Sequence, residues 1–445
     1  MKTNASPVAT NRLIRLLAIG VLALVSGTWK LWTPQTAFPQ VPLISAACHW
    51  PGWCDWVCLA VLVLSAMALL LFPRQSQRVA SGGLALSLAG FFVLDQHRLQ
   101  PWAWQFFLLA LLLSMADDAT ARRGWMGLVI SIYFWSAISK LDYTFCHEQG
   151  PALLGGLKKA MGLRGLETQW TRPLDVAGSL GFALSELGVA VLLAWPRTRW
   201  LGFWAAIIMH VTLLAALGPL GLNHSHGVLL WNLFFIAQDW MLFHGASQPS
   251  SLKADQSSIP WRTRIRDGLD WPSTARSRLA LSVIVGAMVW PSLEPIGLCD
   301  HWLAWAVYSA RPGHSQVIAD SGIDLPVPST QSVGLDSFDL DTSMYHPRIF
   351  HIIETGKWSL ETLRVPILPE NRFQIGVACH LAEHNQFRGA VILSKPANRW
   401  TGRSDSSPQI VVFANYPDGD VSAIASSFFW NSRPRHWPNL PKSGG

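Results

Sequence analysis

Nine apolar runs, each approaching the thickness of a lipid bilayer, restrict what this chain can fold into. They lie at residues 13–32, 56–72, 79–95, 101–116, 124–141, 175–195, 200–218, 226–243 and 279–297. A transmembrane helix needs about 20 mostly apolar residues. Charged residues make up only 14% of the 445 residues, whereas soluble proteins carry about a quarter. The sequence therefore predicts an all-α polytopic membrane bundle of about nine transmembrane helices over residues 1–299.

The distribution of lysine and arginine predicts how these helices are oriented. Basic residues concentrate in alternate loops, which the positive-inside rule places in the cytoplasm together with the N-terminus. The basic residues of those loops are Arg74, Arg78, Arg122, Arg123, Arg197, Arg199, Lys253, Arg262, Arg264, Arg266, Arg276 and Arg278. The loop 142–174 is the exception, because it carries basic residues but is assigned to the outside. We expect a protein of the cell inner membrane whose C-terminal part, after an odd number of spans, is extracytoplasmic.

The composition changes after residue 299, where Asp, Ser, Pro and Gly become frequent. Short β-branched runs at 389–393 and 409–413 predict strands, and residues 371–385 predict a helix. We expect a small extracytoplasmic α+β domain over residues 300–431. Residues 432–445 are rich in proline and are expected to form a loose tail.

Several classes of function are not supported. The net charge of +7 does not indicate nucleic-acid binding, because the positive charge lies in short loops between apolar runs. The sequence has no Walker loop, no nucleotide-binding glycine fingerprint, no His-Glu-x-x-His and no Gly-x-Ser-x-Gly motif. Phosphoryl transfer, dehydrogenation and serine hydrolysis therefore lack support. No metal or nucleotide is predicted, and the first partner of the chain is the lipid bilayer.

The cysteines fall on the side expected to be extracytoplasmic, where an oxidising compartment permits disulfides. The disulfide candidates are Cys48, Cys54, Cys146, Cys299 and Cys379. We expect structural bridges that link the first outer loop to the rest of the chain. The pairing stays open, because six cysteines allow about fifteen full pairings. A redox-active pair of Cys48 and Cys54 is the alternative, although its spacing is not Cys-x-x-Cys.

Ionisable side chains inside apolar runs are costly in a membrane and are functional candidates by default. Glu186 and His210 lie at similar distances on either side of the turn at 196–199. At a rise of 1.5 Å per residue, both are roughly 15–17 Å from the inner boundary, at one level of adjacent antiparallel helices. Such a pair could hold or relay a proton. It could equally be a hydrogen-bonded pair that only locks two helices together.

Two further groups lie towards the outer ends of the runs. Lys140 follows Trp125 by roughly 22 Å of helix. A lysine at a helix end can snorkel into the headgroups, and the residues alone favour that interpretation. In an apolar pocket, desolvation would instead favour the neutral amine, which can act as a general base. His97 lies in the polar turn 95–100, which could frame a site at headgroup depth or be a solvated turn.

The segment around Lys140 resembles a known membrane family. It reads Tyr133-Phe134-Trp135-Ser136-Ala137-Ile138-Ser139-Lys140-Leu141-Asp142. This is similar to the tyrosine-phenylalanine…lysine-leucine signature of the membrane domain of vitamin K-dependent gamma-carboxylase and its bacterial HTTM-domain relatives. The first outer loop at 38–43, the consecutive helices with Glu186 and His210, and the tryptophan-rich segment 301–309 also look similar. The resemblance covers residues 10–310 or so.

The resemblance implies a role for Lys140. In the carboxylase, the lysine before that leucine is thought to deprotonate a reduced quinone, which starts oxygen-dependent carboxylation of glutamate. A histidine near the outer end of an earlier helix assists, and His97 is the nearest counterpart, although the family's asparagine-histidine pair reads Gln96-His97 here. The family's large lumenal substrate-docking domain has no counterpart in the short segment 300–445.

We therefore expect a quinone-linked redox or proton-transfer enzyme with Lys140 as general base. Quinone would bind near Lys140 and His97, and Glu186 with His210 would form a buried polar pair that shapes the site. A second resemblance is to small quinone-linked membrane proteins of the DoxX and MauE type. By that resemblance the chain would be a non-enzymatic anchor or a maturation partner for an extracytoplasmic redox protein, and the sequence leaves both interpretations open.

Overall fold

The computed structural model describes residues 7–163, 172–244, 272, 274–308, 315–320, 328–334, 349–385, 389–394, 398–403, 409–412 and 420–436. Each predicted apolar run contains a helix. The bundle helices are α1 (Pro7–Gly27), α2 (Trp29–Trp32), α3 (Trp53–Leu71), α4 (Arg74–Leu94), α5 (Pro101–Met115), α6 (Asp118–Lys140), α7 (Gly150–Ala160), α8 (Arg172–Ala194), α9 (Arg199–Leu217), α10 (His226–Asp239) and α11 (Ala275–Val289). Most of the predicted cytoplasmic loop between α10 and α11 lies outside the described residues.

Six of the described helices are long and apolar enough to cross a membrane: α1, α3, α4, α8, α9, and α11 together with its 3₁₀ continuation to Ile296. Helix α6 and the stretch Phe145–Ala160 meet the requirement only together, across a bend of 86°. The chain is thus a membrane-type helical bundle, but the described helices do not confirm nine spans. The reason is length, since α5 starts at Pro101 and has 15 residues, while α10 has 14 before a π-helical turn.

Buried amide and indole groups in the bundle core bond to one another. Gln238 Oε1 accepts hydrogen bonds from Gln105 Nε2 and Trp125 Nε1, each at 3.0 Å. Gln105 Oε1 in turn accepts from Trp231 Nε1 at 2.8 Å. Polar groups surrounded by lipid or apolar side chains must find protein partners. These bonds therefore hold α5, α6 and α10 together at the centre of the bundle.

The α8–α9 hairpin depends on a close approach that only glycine permits. A Cβ on Gly202 would lie 2.7 Å from the backbone nitrogen of Leu193. We expect Gly202→Ala to lower the melting temperature in detergent, because backbone must move to relieve the clash. Gly188→Ala on α8 is the matched control, since a Cβ there meets no atom within 4 Å and alanine favours helix by about 1 kcal/mol. Equal melting temperatures for the two variants would contradict this expectation.

The C-terminal domain, which the sequence predicted to be α+β, is built on a small antiparallel sheet. Its strands are β1 (Ser315–Asp320), β2 (Ser329–Gly334), β3 (Ile349–Ile353), β4 (Gly389–Leu393) and β5 (Gln409–Val412), in the order β2-β3-β1-β4-β5. Its helices are α12 (Thr355–Leu363), α13 (Asn371–Asn385) and α14 (Asp420–Ser427). The predicted strand at 389–393 and the predicted helix at 371–385 are confirmed, and the predicted strand at 409–413 is confirmed over its described residues, 409–412. Val317, Val391 and Cys379 are among the side chains buried between the sheet and α13.

The C-terminal domain packs against the first loop of the bundle, which joins α2 to α3. Phe38 packs its ring 4.6 Å from that of Trp358 on α12 and 6.5 Å from that of Phe373 on α13, measured between ring centroids. The backbone of residues 431–436 bonds to the same loop, through Asn431 N to Leu43 O at 3.1 Å and further bonds to Gln40 and Cys48. We call the end of the bundle that carries these contacts the domain side.

The start of the predicted loose tail is in fact buried. Ser432 and Arg435 are each 1% exposed, so the expectation of a loose segment from residue 432 is wrong for residues 432–436. Residues 437–445 lie outside the described residues. Composition misled here, because proline-rich sequence also suits an extended segment that is held in place by side chains. The side chain that holds it is Arg435.

Arg435 completes a buried ion cluster that joins the domain to the bundle. Asp55, in the first turn of α3, contacts Arg98 at 2.5 Å and Arg435 at 2.7 Å, and the side chains of all three are 0% exposed. Arg435 also donates to the carbonyl oxygens of Trp50 and Pro51, and Arg98 to that of Leu31. Buried charges are tolerated only when paired and hydrogen-bonded. The cluster therefore specifies how the domain is seated.

Candidate functional site

Lys140 is buried at the end of α6 and does not snorkel. Its side chain is 9% exposed, and Nζ lies 2.6 Å from Oε2 of Glu186, whose side chain is 13% exposed. Nζ also donates to the hydroxyl and carbonyl oxygens of Ser136, one turn earlier, at 2.5 and 3.2 Å. Asp142 is occupied elsewhere, accepting from the backbone nitrogens of Thr144 and Phe145. The snorkelling interpretation is therefore wrong, because Nζ of Lys140 is held by three acceptor atoms of two residues, Ser136 and Glu186.

The expected pair of Glu186 and His210 does not form. Glu186 on α8 bonds Lys140 on α6, whereas His210 on α9 bonds Tyr133 on α6 and Asn232 on α10. The depth of a residue in the membrane follows from residue count along its helix. The partner of a helical side chain also depends on the direction in which it leaves the helix axis, and that direction is set by which helices pack together.

A continuous polar chain runs beside the ion pair. The hydroxyl of Tyr133 lies 2.7 Å from Nε2 of His210 and also contacts Oδ2 of Asp239. His210 Nδ1 lies 2.8 Å from Oδ1 of Asn232. Tyr133, His210 and Asp239 are 1%, 4% and 0% exposed. Neither Asp239 nor Tyr133 was predicted as a site residue, although Asp239 is the only acidic residue in the run 226–243 and the cost of burying it was the available signal.

The ion pair and three members of the polar chain, Tyr133, His210 and Asn232, line one cavity of about 60 Å³. Its polar wall consists of Tyr133, Ser136, Lys140, Glu186, His210, Asn232 and Tyr308. Its apolar wall consists of Ile132, Leu153, Phe182, Met209, Leu213, Val228, Trp231, Phe235 and Val307. An apolar cavity with a few convergent polar groups is the usual form of a small-molecule site. A cavity needs only about 10–15 Å³ to hold one water molecule.

The tryptophan-rich segment after α11 caps this cavity. Trp305 and Tyr308 adopt left-handed backbone conformations, with φ of 60° and 62°, which are uncommon for residues other than glycine. They turn the chain so that Val307 and Tyr308 reach the cavity wall. The buried hydroxyl of Tyr308 has no hydrogen-bond partner among the described residues. A ligand with a polar atom at this position would supply one.

His97 lies in a different place from the one the resemblance implied. Its ring is 0% exposed, and Nε2 bonds the carbonyl oxygen of Pro366 at 2.9 Å. Burial lowers the pKa of His97 to about 4, against the opposing effect of that bond. His97 is therefore neutral near pH 7 and is not among the residues that line the Lys140 cavity. The turn 95–100 lies under the C-terminal domain, and His97 bonds that domain through Pro366 instead of reaching the Lys140 cavity.

All six cysteines lie among the described residues, and none of the expected disulfides is formed between them. Cys54 and Cys58 are one turn apart on α3. Cys146 packs beside Phe145 in the bundle, while Cys379 belongs to the core of the domain. Cys48 Sγ contacts the carbonyl oxygen of Arg433 at 3.8 Å, and Cys299 Sγ that of Asp300 at 3.6 Å. The predicted location of the cysteines on one side of the membrane thus does not place them in disulfide bonds.

A second ionisable cluster lies where the bundle meets the domain. His301 Nε2 is 3.2 Å from Glu294, and its Nδ1 is 3.1 Å from Glu370. Arg372 bridges this cluster to Gln96 Oε1 at 2.6 Å and to Asp300 at 2.9 and 2.5 Å. Burial lowers the pKa of His301, but the hydrogen bond and negative charge of Glu370 outweigh it, and the net shift is upward.

This shift predicts how stability depends on pH. Because the pKa of His301 is higher in the folded protein than the unfolded value of about 6.5, protonation stabilises the fold below that value. The contribution is lost as pH rises through the folded-state pKa. We expect the melting temperature in detergent to fall over this range, and His301→Gln to flatten the fall. A variant that keeps the wild-type pH profile would assign the dependence to another group.

A scan against protein-family models found no match, and searches of curated proteins and of solved structures found none either.

Proposed function

We propose that this chain is an integral membrane enzyme that moves a proton at Lys140 on an amphipathic ligand with an ionisable hydroxyl, such as a quinol. The observation that carries the proposal is the buried Lys140–Glu186 ion pair in the wall of an apolar cavity. Ion pairs inside a membrane are costly to maintain and mark proton or substrate sites. The seven polar side chains converging on one small cavity support a chemical role over a purely structural one.

The pair supplies a base without leaving a bare charge. At rest Lys140 is an ammonium and Glu186 a carboxylate, 2.6 Å apart. Transfer of one proton from Nζ to Oε2 gives a neutral amine and a neutral carboxylic acid, and desolvation lessens the cost of that state. The amine nitrogen then accepts a proton from the ligand hydroxyl. The ammonium that forms faces the ligand anion, and Ser136 still accepts a hydrogen bond from it.

Binding of a quinol ring requires one wall of the Lys140 cavity to move. The cavity is smaller than the roughly 300–1,000 Å³ of typical ligand pockets, so a quinol ring enters only if side chains move apart. Helix α8 is the candidate for this motion, because 28% of its membrane window is buried, against 39% of that of α9, which also lines the cavity. It contributes Phe182 and Glu186 to the cavity. We expect ligand binding to displace α8 from α6.

The resemblance to the gamma-carboxylase membrane domain supports the same assignment independently of the geometry. It places the quinone base at the lysine before the leucine of the signature, which is Lys140. The partner of that base differs from the one implied, because Glu186 and Ser136 contact Lys140 whereas His97 is separate. His210 and Tyr133 hold the neighbouring positions in the cavity. Carboxylation of glutamate is not part of the proposal.

The proposed membrane topology follows from the apolar runs and the distribution of basic residues in the sequence. We infer nine spans, with α5, α6 and α10 crossing in addition to the six longer helices, and a cytoplasmic N-terminus in the cell inner membrane. The domain side then faces outward, and the C-terminal domain is extracytoplasmic. Lys140 lies at the domain-side end of α6, so the cavity is near the outer leaflet. Cysteine labelling of residues near Arg123 and near Arg403 in intact cells tests this orientation.

The deciding experiment is a lipid extract of the purified protein, assayed for quinone by ultraviolet absorbance and mass spectrometry. Wild type is compared with Lys140→Met and with the control Lys158→Met. Lys158 is a lysine paired with Asp175 at 3.4 Å, but it is not among the residues lining the cavity. We expect near-stoichiometric quinone in wild type and in Lys158→Met, with loss or altered redox behaviour in Lys140→Met.

The alternative is a non-enzymatic anchor or maturation partner for an extracytoplasmic redox protein. The observation that favours it is the tight seating of the domain through Asp55 and Arg435, which presents the domain in one fixed orientation. No quinone above the level of bulk lipid in any of the three proteins would favour this alternative. The search would then move to proteins captured by the intact, detergent-solubilised chain.

A further inference from the structure

The hydrogen bonds around His210 determine which atoms carry protons. Asn232 Nδ2 donates to the carbonyl oxygen of Val228 at 2.9 Å, and the reverse amide orientation would set two oxygens against each other. Oδ1 of Asn232 therefore faces Nδ1 of His210 at 2.8 Å. Since this oxygen can only accept, Nδ1 must carry a hydrogen. In a neutral imidazole, Nε2 is then a bare acceptor.

The hydrogen bonds of Tyr133 determine in turn where the proton lies at Asp239. Nε2 of His210 lies 2.7 Å from the hydroxyl of Tyr133, so Tyr133 donates its one proton to the ring. The contact between that hydroxyl and Oδ2 of Asp239 still needs a proton, and the remaining source is Asp239. A neutral chain is complete only if Asp239 is a carboxylic acid that donates to Tyr133.

One other proton arrangement satisfies the same contacts. If His210 is an imidazolium, Nε2 donates to Tyr133, and Tyr133 donates to an ionised Asp239. This state separates two charges within the bundle, where charge is costly. Among the described residues, no cation lies within ion-pair distance of Asp239, and Oδ1 has no hydrogen-bond partner. Arg122, on the same helix as Tyr133, donates instead to the carbonyl oxygen of Leu242 at 3.0 Å.

We propose that Asp239 is protonated in the resting protein and that Tyr133 and His210 conduct this proton to the Lys140 cavity. The O–H bond of Asp239 breaks as a new O–H bond forms on Tyr133. The original hydroxyl proton of Tyr133 passes to Nε2 of His210, where an N–H bond forms. The steps conserve charge and need no oxidant or reductant. They leave an aspartate carboxylate and an imidazolium, whose extra proton is at the cavity wall.

This arrangement gives the cavity a proton donor separate from the Lys140–Glu186 pair. His210 and Tyr133 line the cavity, whereas Asp239 does not and contacts it only through Tyr133. Asp239 is therefore a proton store and Tyr133 the link. The delivery of this proton to a ligand rests on the proposed function. The protonation of Asp239 does not, because it follows from the hydrogen bonds together with the cost of separating charge within the bundle.

Infrared spectroscopy of the full-length protein in detergent tests the protonation state. We expect a carboxylic-acid carbonyl band at neutral pH that shifts on exchange into deuterium oxide and is absent from Asp239→Asn. Asp142→Asn is the matched control, because Asp142 is also buried but its Oδ1 accepts from two backbone nitrogens instead of facing a tyrosine hydroxyl. A wild-type spectrum in which Asp239→Asn removes no acid band would overturn the proposal.

Tyr133→Phe is the second variant, and it decides the matter if Asp239→Asn does not give monodisperse protein. Removing the phenolic oxygen deprives the Asp239 hydroxyl of its acceptor, so the acid band should move to higher frequency. An unchanged band would mean that the proton is not on Asp239. Quinone in the lipid extract without this band would retain the proposed function and reject the proton store. The band without quinone would do the reverse.

Discussion

Lys140→Met is expected to lower the free energy of unfolding by about 3–5 kcal/mol and to abolish ligand binding together. The loss of stability arises because Glu186 keeps its negative charge in a site where it is 13% exposed and has lost the Nζ atom 2.6 Å away. The loss of binding arises because Nζ is the one lysine or arginine group among the described residues that line the cavity. Melting temperature in detergent and quinone content of the purified protein measure the two effects.

The double variant Lys140→Met, Glu186→Leu separates these two effects. Apolar replacement of a whole buried ion pair is often neutral or stabilising, so the melting temperature should return close to that of wild type. Quinone binding should stay absent, because the proton-transfer group is missing. If the double variant regains stability and binding alike, Lys140 has only a structural role. If it is no more stable than Lys140→Met, the ion pair is not the source of the loss.

Asp55→Asn is expected to destabilise the protein by about 3–5 kcal/mol, because it leaves two buried arginines without their shared counter-charge. Arg98 and Arg435 contact the two oxygens of this carboxylate at 2.5 and 2.7 Å. Arg435 can leave the site with the C-terminal segment, but Arg98 cannot, since it lies in the turn between α4 and α5. We therefore expect the segment 431–436 to detach and become sensitive to carboxypeptidase and trypsin.

The matched control is Asp175→Asn, which removes one partner of the more exposed pair with Lys158, 3.4 Å apart. Surface pairs of this kind contribute about 0–1 kcal/mol. Asp175→Asn should leave the melting temperature and the proteolysis pattern near those of wild type. Equal effects of the two variants would mean that Asp55 does not hold the C-terminal segment. Wild-type protease resistance in Asp55→Asn would show that backbone bonds to the first loop suffice.

The C-terminal domain contacts the helical bundle close to the Lys140 cavity. The first loop packs on the domain and follows directly from α2, while Tyr308 at the exit from the bundle lines the cavity. Residues 398–403 also reach the end of α6, where Arg399 Nε donates to the carbonyl oxygen of Leu141 at 2.8 Å. A displaced domain would therefore disturb the cavity, and Asp55→Asn should weaken ligand binding as a secondary effect.

The positions of the helices, two strands and one domain helix could be predicted from the sequence, because these depend on local patterns. An apolar run of membrane length has few alternatives to a helix, and a β-branched run beside turn residues favours a strand. The same reasoning identified Lys140, Glu186 and His210, since ionisable residues in apolar runs stand out without any structure. The nine predicted spans stay a prediction, because α5 and α10 are shorter than the six described helices that are long enough to cross a membrane.

Only the tertiary structure decided which of these residues meet. Glu186 and His210 share a depth, but the packing of α8 on α6 directs Glu186 to Lys140, and the packing of α9 on α10 directs His210 to Asn232. Asp55 and Arg435 are 380 positions apart, so no local pattern relates them. The sequence by itself determined where charge lies along each helix. The helix orientations and the seating of the domain determined its partners, because side-chain contacts depend on direction as well as depth.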